Sequence, residues 1–290
     1  MIKDKIINWV IFITLSFIWG SSFILMKLSS LELNGWQIAS TRIFSAGFIL
    51  IPFALIHLSK IPRKKVGIII LSGLFGNLFP AYLFAIAIDK KLDSSLAGIL
   101  NSLTPLLVII ISVLFFKTHI HFKKILGVLI GFAGLLILSL SKGGITLNNF
   151  WFAFFILLAT LFYGINVNLV SFYLRDINPI KLATISLAFI SIPAGIIMWE
   201  QNVPMLLWHD IDYRLPILAS VVLGIVGSAL ATALFYILIK RAGGIFASLI
   251  TYGIPVVAIL WGIWDNENVS VVQVACLGLI LSGVFMANKN

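Results

Sequence analysis

The chain has 290 residues, of which 61% are hydrophobic and only 10% are charged. A soluble domain is about half apolar and about a quarter charged, so this composition excludes a soluble globular protein. The formal net charge of +10 would suit a nucleic-acid-binding protein, but the basic residues lie in short segments between apolar runs, as membrane orientation requires. We therefore expect the chain to lie in a lipid bilayer, and we expect no nucleic-acid partner.

Ten apolar stretches are long enough to cross a bilayer, since a transmembrane helix needs about 20 residues. In chain order they occupy residues 7–28, 35–58, 66–88, 94–116, 122–141, 149–172, 178–199, 215–239, 244–264 and 269–287. The first stretch has no small-residue cleavage site after a short apolar core, which favours a retained span over a signal peptide. The sequence thus predicts an all-α integral membrane protein with ten transmembrane helices.

The distribution of charge predicts how these spans are oriented. With the N-terminus inside, the inner segments hold most of the basic residues, including Lys65, Lys124 and Lys240, while acidic residues such as Glu32 and Glu200 fall outside. Lysine and arginine accumulate on the cytoplasmic side of membrane proteins. We therefore predict a multi-pass protein of the bacterial cytoplasmic (inner) membrane with both termini in the cytoplasm.

The fourth predicted span combines a polar half, which ends at Pro105, with a second half that has no charge and a single hydroxyl, Ser112. The same order recurs 150 residues later, where Pro255 corresponds to Pro105. A proline removes a helical hydrogen bond and kinks the helix, and in a bilayer the freed carbonyl group needs another partner. Two such kinked helices at matching positions of two halves indicate a transporter with internal repeats and a central cavity. The alternative is that each proline merely bends its helix, as many membrane prolines do.

Other pairs of residues extend the similarity between the two halves. Trp19-Gly20 aligns with Tyr163-Gly164 at an offset of 144 residues. Gly73, Gly76 and Asn77 align with Gly224, Gly227 and Ser228 at an offset of 151. Each half holds five predicted spans, and because five is odd, the second half enters the membrane from the opposite side. We predict two inverted five-helix repeats, residues 1–144 and 145–290.

These features together resemble one transporter family. The ordered set of Trp19-Gly20-Ser21-Ser22-Phe23, Lys27, Arg42 and the helix that ends at Pro105, with its counterpart in the second half, resembles EamA-type transporters of the drug/metabolite transporter superfamily. The resemblance covers essentially the whole chain. It implies ten helices in two inverted five-helix repeats and the export of small metabolites or drugs.

Arg42 is the charged residue that lies well inside a predicted span. It follows Gly35 by seven residues, which places it roughly 10 Å deep at about 1.5 Å per residue. A charge inside the membrane is a functional candidate, and a guanidinium group facing a cavity would attract a carboxylate. The alternative, which stays open at this stage, is that the long side chain extends to the outer headgroups.

The predicted substrate-binding residues share a position deep in the spans, close to the prolines or at repeated positions. They are Trp19, Ser22, Arg42, Asn77, Tyr82, Asn101, Pro105, Tyr163, Asn166, Ser228, Thr232, Tyr252 and Pro255. A wider set that could line the same cavity adds Ser102, Thr104, Asn168, Thr251, Phe79, Phe235 and Tyr236. For each polar residue alone, a hydrogen bond between helices is the alternative explanation.

The sequence favours a transporter over other membrane functions. It has no phosphate-binding glycine motif, so we expect no ATP hydrolysis, and with Cys276 as the single cysteine it offers no cysteine metal site. We predict a secondary transporter, monomeric in the membrane, that needs no cofactor and exports an amino-acid-like or other amphipathic small molecule, or a drug, by alternating access. A membrane-embedded enzyme acting on a lipid-soluble substrate and a channel-like subunit are the alternatives.

Overall fold

The computed structural model describes residues 2–90, 92, 94–141, 150–209, 211–264 and 270–288. Across these ranges the regular structure is helical, with no strand. The helices are α1 (Ile2–Ser29), α2 (Gly35–Phe48), α3 (Ile51–Leu58), α4 (Arg63–Gly73), α5 (Phe79–Asp89), α6 (Ser94–Asn101), α7 (Thr104–Phe116), α8 (Phe122–Ser141), α9 (Ala153–Tyr173), α10 (Pro179–Glu200), α11 (Val203–His209), α12 (Arg214–Gly224), α13 (Ala231–Ala242), α14 (Gly244–Ser248), α15 (Ile250–Trp264) and α16 (Val271–Asn288).

Most of these helices are suited to a bilayer by length and composition. In the ranges that the structure describes, eight spans qualify, some of which are made of consecutive helices such as α4 and α5. Helices α2 and α3 meet at a bend of 53°, and counting them together as one span gives nine. Each of the ten predicted spans overlaps helical structure, and α8, with 20 residues, is the one outside this count. The all-helical membrane class is confirmed, whereas the number of ten spans stays a prediction.

The outer surface of the helices is apolar, as a lipid-facing surface must be. Large side chains such as Leu55 on α3 and Leu114 and Phe115 on α7 are more than half exposed. A soluble protein would not leave so many large apolar groups in water. Trp199 on α10 and Trp208 on α11 are also largely exposed, and tryptophan is enriched where a membrane meets water.

The fourth span is broken before Pro105 and not kinked at it. Helix α6 ends at Asn101, and α7 begins at Thr104 with Pro105 in its first turn, where a missing backbone N–H costs little. The Asn101 carbonyl lacks a donor four residues on because that residue is Pro105, and the Thr104 hydroxyl donates to it at 2.6 Å. The prediction of a kink at the proline is therefore wrong in position, but the freed carbonyl does find a partner.

The second proline helix is built differently. Pro255 lies inside α15, and the chain is broken six residues earlier, at Leu249 between α14 and α15. The two proline helices therefore share a broken polar half, although the break has a different distance from the proline in each.

Two short π-helical segments occupy matching positions in the two halves. Leu74–Leu78 joins α4 to α5, and Ile225–Leu230 joins α12 to α13. The first residues of the two segments are 151 positions apart, which is the offset that aligns Gly76 with Gly227. The first segment is followed by Pro80, which cannot donate to the Gly76 carbonyl, but the second has no such proline. π-helical turns of this kind are frequent at functional sites.

The helices of the two halves pack together in corresponding pairs. Helix α2 packs against α10, and α8 packs against α16. Helix α5 packs against α9. At the corresponding positions of the repeat, α12 and α13 pack against α1. Close approach depends on glycines, since a Cβ on Gly127 would lie 2.7 Å from the Gly283 carbonyl oxygen. This pairing is what two related halves require, while their inverted insertion in the membrane stays a prediction.

Candidate functional site

A central cavity of about 130 Å³ lies between the two halves. Its walls come from α1, α2, the first π-helical segment and α5–α7 on one side, and from α9, the second π-helical segment and α13–α15 on the other. Eight of the thirteen predicted binding residues lie in these walls: Trp19, Ser22, Arg42, Asn77, Asn101, Tyr163, Asn166 and Thr232. The structure therefore brings together residues that are up to 213 positions apart in the sequence, from Trp19 to Thr232.

Arg42 contributes its guanidinium group to the wall formed by α2. Its Nε donates to the Ser228 hydroxyl at 2.8 Å, and Ser228 belongs to the second π-helical segment. Within the described ranges, no carboxylate pairs with Arg42. The side chain lines the cavity, so extension to the outer headgroups is not the arrangement seen. A buried cation without a counterion is costly, and an anionic ligand in the cavity would offset that cost.

Two asparagines add uncommitted acceptors to the same cavity. The side-chain oxygens of Asn101 on α6 and Asn166 on α9 are buried and have no hydrogen-bond partner. A buried acceptor left without a donor costs roughly 1–3 kcal/mol, so each such group in a cavity is a candidate ligand contact. These oxygens accept hydrogen bonds from N–H or O–H groups, whereas the guanidinium group of Arg42 donates hydrogen bonds.

Other polar residues of the cavity are already paired across the two halves. The Thr232 hydroxyl donates to the Asn77 side-chain oxygen at 2.9 Å, and the Trp19 indole N–H donates to the Gly227 carbonyl at 3.0 Å. Trp19 also packs edge-on against Phe235, with ring centroids 5.4 Å apart. For these groups the interpretation as hydrogen bonds between helices holds, and they form fixed walls more than free ligand contacts.

Five predicted site residues lie outside the cavity walls. Ser228 stands behind Arg42 as its hydrogen-bond acceptor. Tyr252 is fully buried and its hydroxyl donates to the Val128 carbonyl at 3.0 Å, towards α8. Tyr82 packs beside Trp36 with ring centroids 5.4 Å apart. The two prolines, Pro105 and Pro255, shape their helices without lining the space.

Sequence reasoning missed several apolar and small residues of the cavity. Met26, Ala81, Phe84, Ala247, Ser248 and Ile254 line it, together with Thr104, Thr251, Phe235 and Tyr236 of the wider predicted set. Helical spacing could have found some of them. Met26 follows Trp19 by seven residues and Ala81 follows Asn77 by four, so each lies on the same helix face as a residue that was predicted.

Comparison with known proteins identifies the family. The model of the EamA-like transporter family matches the chain twice, over residues 7–140 and 150–289. The chain belongs to this family. The predicted resemblance to EamA-type transporters of the drug/metabolite transporter superfamily is therefore confirmed.

Individual relatives agree with this assignment. An uncharacterized transporter of Archaeoglobus fulgidus is 25% identical over 96% of this chain and 98% of its own length. The uncharacterized inner membrane transporter YedA of Escherichia coli K12 is 25% identical over 93% of this chain and 86% of its own length. A protein of known crystal structure has the same fold, with a TM-score of 0.71 at 19% identity over 97% of this chain and 96% of its own length.

These findings establish the general class of the protein. This EamA-like chain is a membrane transporter, since both halves match the transporter family and the relatives are named as transporters. The family and these names indicate a transporter rather than an enzyme.

Proposed function

We propose that this EamA-like protein is a secondary transporter that exports a small organic metabolite with an anionic group, such as an amino-acid-like zwitterion, across the bacterial cytoplasmic membrane. One observation carries the proposal: Arg42 lines a cavity between the two halves and has no carboxylate partner in the described ranges. A substrate carboxylate would supply that partner through charge-assisted hydrogen bonds.

The rest of the cavity supports a substrate with both charges. Asn101 and Asn166 offer free carbonyl oxygens that would accept hydrogen bonds from an ammonium group. The rings of Trp19, Tyr163 and Phe235 line the same space and provide apolar walls for the remainder of the molecule. The cavity therefore combines an anion site, acceptors and apolar surface, which is the chemistry of an amphipathic zwitterion.

The mechanism that we propose is alternating access between two inverted repeats. The matched helix pairs, the two π-helical segments and the two family matches of 7–140 and 150–289 support this arrangement. In such transporters the substrate site lies near the bilayer midplane at the interface between repeats, and one bundle rocks against the other. From the charge asymmetry of the loops we further propose that both termini lie in the cytoplasm. We also propose that the protein acts as a monomer, since the described walls of the central cavity all come from one chain.

Flux into proteoliposomes tests the substrate class. The purified protein is assayed with a panel of amino acids and two matched compounds for each. One is the amine that lacks the carboxylate, and the other is the amide, in which an uncharged carboxamide replaces the carboxylate. We expect saturable uptake of zwitterions, which distinguishes a carrier from a channel. Arg42→Ala should reduce this uptake by about tenfold or more, since a charged hydrogen bond is worth roughly 1.5–3 kcal/mol.

Two further variants sharpen the test. Arg42→Lys should restore part of the uptake, because the charge remains while the planar fork is lost. Lys27→Ala removes one positive charge outside the cavity walls and serves as the matched control. Equal loss of uptake for zwitterions, amines and amides in Arg42→Ala, at unchanged expression, would show that Arg42 supports folding and would contradict the proposal.

A further inference from the structure

A second cavity, here called the inner vestibule, lies at the face where α7, α9 and α13 end. It has a volume of about 440 Å³. Exposed residues such as Arg175, Lys240 and Gly243 form its mouth, and buried residues such as Val108 and Tyr236 form its base. The vestibule therefore narrows from a charged opening to an apolar base, and the charge pattern of the loops predicts that its mouth faces the cytoplasm.

The charged lining of the inner vestibule is of one sign. Arg175, Lys240 and Arg241 line it together with His119, and no Asp or Glu is among its described lining residues. Two of the cations are held by neighbours: Lys240 Nζ donates to the Ile177 carbonyl at 3.3 Å, and Arg241 Nη2 pairs with Asp4 Oδ1 at 3.0 Å. A cleft lined by one sign of charge between apolar walls focuses its field and raises the local concentration of ions of the opposite sign.

Tyr236 separates the inner vestibule from the central cavity. It lines both spaces and is only 1% exposed. Its hydroxyl lies beside the side chains of Ser72, Asn166 and Ser186 but makes no well-aligned hydrogen bond with any of them. On the vestibule side, the Ser171 hydroxyl is also buried and unpartnered. A side chain that is packed but weakly held by hydrogen bonds is suited to move between two arrangements.

We propose that the inner vestibule is an anion-selective mouth of the transport path and that Tyr236 is the barrier between this mouth and the central cavity. The anionic group of the substrate is first attracted by Arg175 and Lys240, passes Tyr236, and then meets Arg42. This inference rests on the proposed function for the identity of the substrate. The accessibility and the charge preference of the vestibule, however, can be measured without any transport.

Labelling of single cysteines tests the charge of the vestibule. In a Cys276→Ala background, Ser171→Cys places one thiol in the vestibule wall, and sealed vesicles of both orientations expose one face at a time. Anionic and cationic methanethiosulfonate reagents of similar size are compared, each corrected for its rate with a free thiol. From the face where α13 ends we expect the anionic reagent to react about tenfold faster or more.

Neutralisation of the mouth provides the matched comparison. Arg175→Gln combined with Lys240→Gln should bring the ratio of the two rates close to one, while Arg241 is kept because it holds α1 through Asp4. Equal corrected rates before neutralisation, or reaction of Ser171→Cys only from the opposite face, would overturn the anion-selective mouth.

A thiol beyond Tyr236 tests the barrier. Thr251→Cys lies in the wall of the central cavity, outside the vestibule. From the vestibule face we expect slow labelling of Thr251→Cys both when Tyr236 is present and in the Tyr236→Phe variant, because the aromatic ring provides the barrier. In the Tyr236→Ala variant we expect labelling at least about tenfold faster. Fast labelling with the tyrosine in place would overturn the barrier, and so would unchanged labelling in Tyr236→Ala protein that elutes and melts like the parent. Normal labelling together with equal losses for all solutes in Arg42→Ala would defeat only the proposed function.

Discussion

Arg42 and Ser186 occupy equivalent positions in the two halves, and the backbone around them is used in the same way. A Cβ on Gly73 would lie 2.8 Å from the Ser186 carbonyl oxygen, and a Cβ on Gly224 would overlap the Arg42 carbonyl oxygen. Only the side chains differ, since one is a guanidinium group and the other a small hydroxyl whose bond is to Ala183. Two similar halves therefore enclose a cavity whose charge is off-centre, an arrangement that suits a polar ligand with its charged group at one end.

Tyr252 was predicted to bind substrate, but in the structure it supports the packing of α15 against α8. Its hydroxyl is bonded to the Val128 carbonyl and the residue is not part of the cavity walls, so Tyr252→Phe should leave transport unchanged. Loss of a buried hydrogen bond should lower the free energy of unfolding by about 1 kcal/mol. Thermal unfolding in detergent and flux on the same preparation measure the two effects. Tyr173→Phe, at an exposed tyrosine, is the control, and a selective loss of flux in Tyr252→Phe would contradict this assignment.

Cavity residues with polar side chains, which are rare in a membrane, were predictable from the sequence. Cavity residues with apolar side chains, which are common there, were not. Arg42, Asn101 and Asn166 stand out because polar side chains are costly in hydrocarbon. Ala81 and Ile254 carry no such signal, since they resemble the lipid-facing residues around them. The side to which a polar group turns is a property of packing, which is why Tyr252 could not be placed from the sequence.

At the scale of the helices, the order and the approximate ends of the elements followed from the sequence, because hydrophobic length is imposed by the bilayer. The breaks did not. The bend between α2 and α3 lies just before Pro52, in the first turn of α3, and the break at Leu249 lies six residues before Pro255. Neither falls at the end of an apolar stretch, which is where hydrophobic length gives its signal. The two π-helical segments were also not predicted, although they fall on glycine positions that the repeat alignment had singled out.

Close packing of α2 on α10 leads to a prediction at this scale. A Cβ on Gly47 would overlap the Leu187 carbonyl oxygen and lie 2.5 Å from the Ser191 Cβ. Because backbone cannot give way easily, Gly47→Ala should destabilise the fold by about 1–3 kcal/mol. Gly98→Ala is the matched control, since a Cβ there meets nothing within 4 Å. Thermal unfolding in detergent compares them, and an unchanged midpoint for Gly47→Ala would show that the two helices are farther apart.

At the scale of the molecule, two ion pairs connect the halves on one face. Lys65 in the first turn of α4 pairs with Asp176 in the loop between α9 and α10, and Asp4 of α1 pairs with Arg241 of α13. All four residues lie on the side that the charge distribution assigns to the cytoplasm. The pairs hold that face together, whereas the inner vestibule opens beside them.

The first of these pairs leads to a prediction of pH dependence. The hydrogen bond from the Lys65 ammonium holds the pKa of the Asp176 carboxyl below its ordinary value of 3.8. A depressed pKa means that the stabilisation is present above pH 3.8 and is lost as the pH falls through the lower, folded-state value. Asp176→Asn should therefore lower the melting temperature by the same small amount at pH 7 and pH 5, and the difference should shrink only below about pH 4.

The comparison with wild type across pH is the measurement, with Glu200→Gln at the end of α10 as a control carboxylate. A difference that disappears already between pH 7 and pH 5 would mean that another group controls this contact.

The placement of the acidic residues leads to a prediction about energy coupling. Proton-driven carriers usually hold a titratable carboxylate or histidine within the membrane. In this chain every Asp, Glu and His lies in a predicted loop or at the edge of a predicted span, and the charged residue in the described walls of the central cavity is Arg42. We therefore expect transport that does not depend on an intramembrane carboxylate: facilitated diffusion, exchange, or coupling through the charge of the substrate.

Proteoliposomes with an imposed pH gradient and a clamped membrane potential provide the measurement, with an ionophore that collapses the gradient as the control. Uphill accumulation that follows the gradient, and that is abolished when a single acidic residue is neutralised, would refute this expectation.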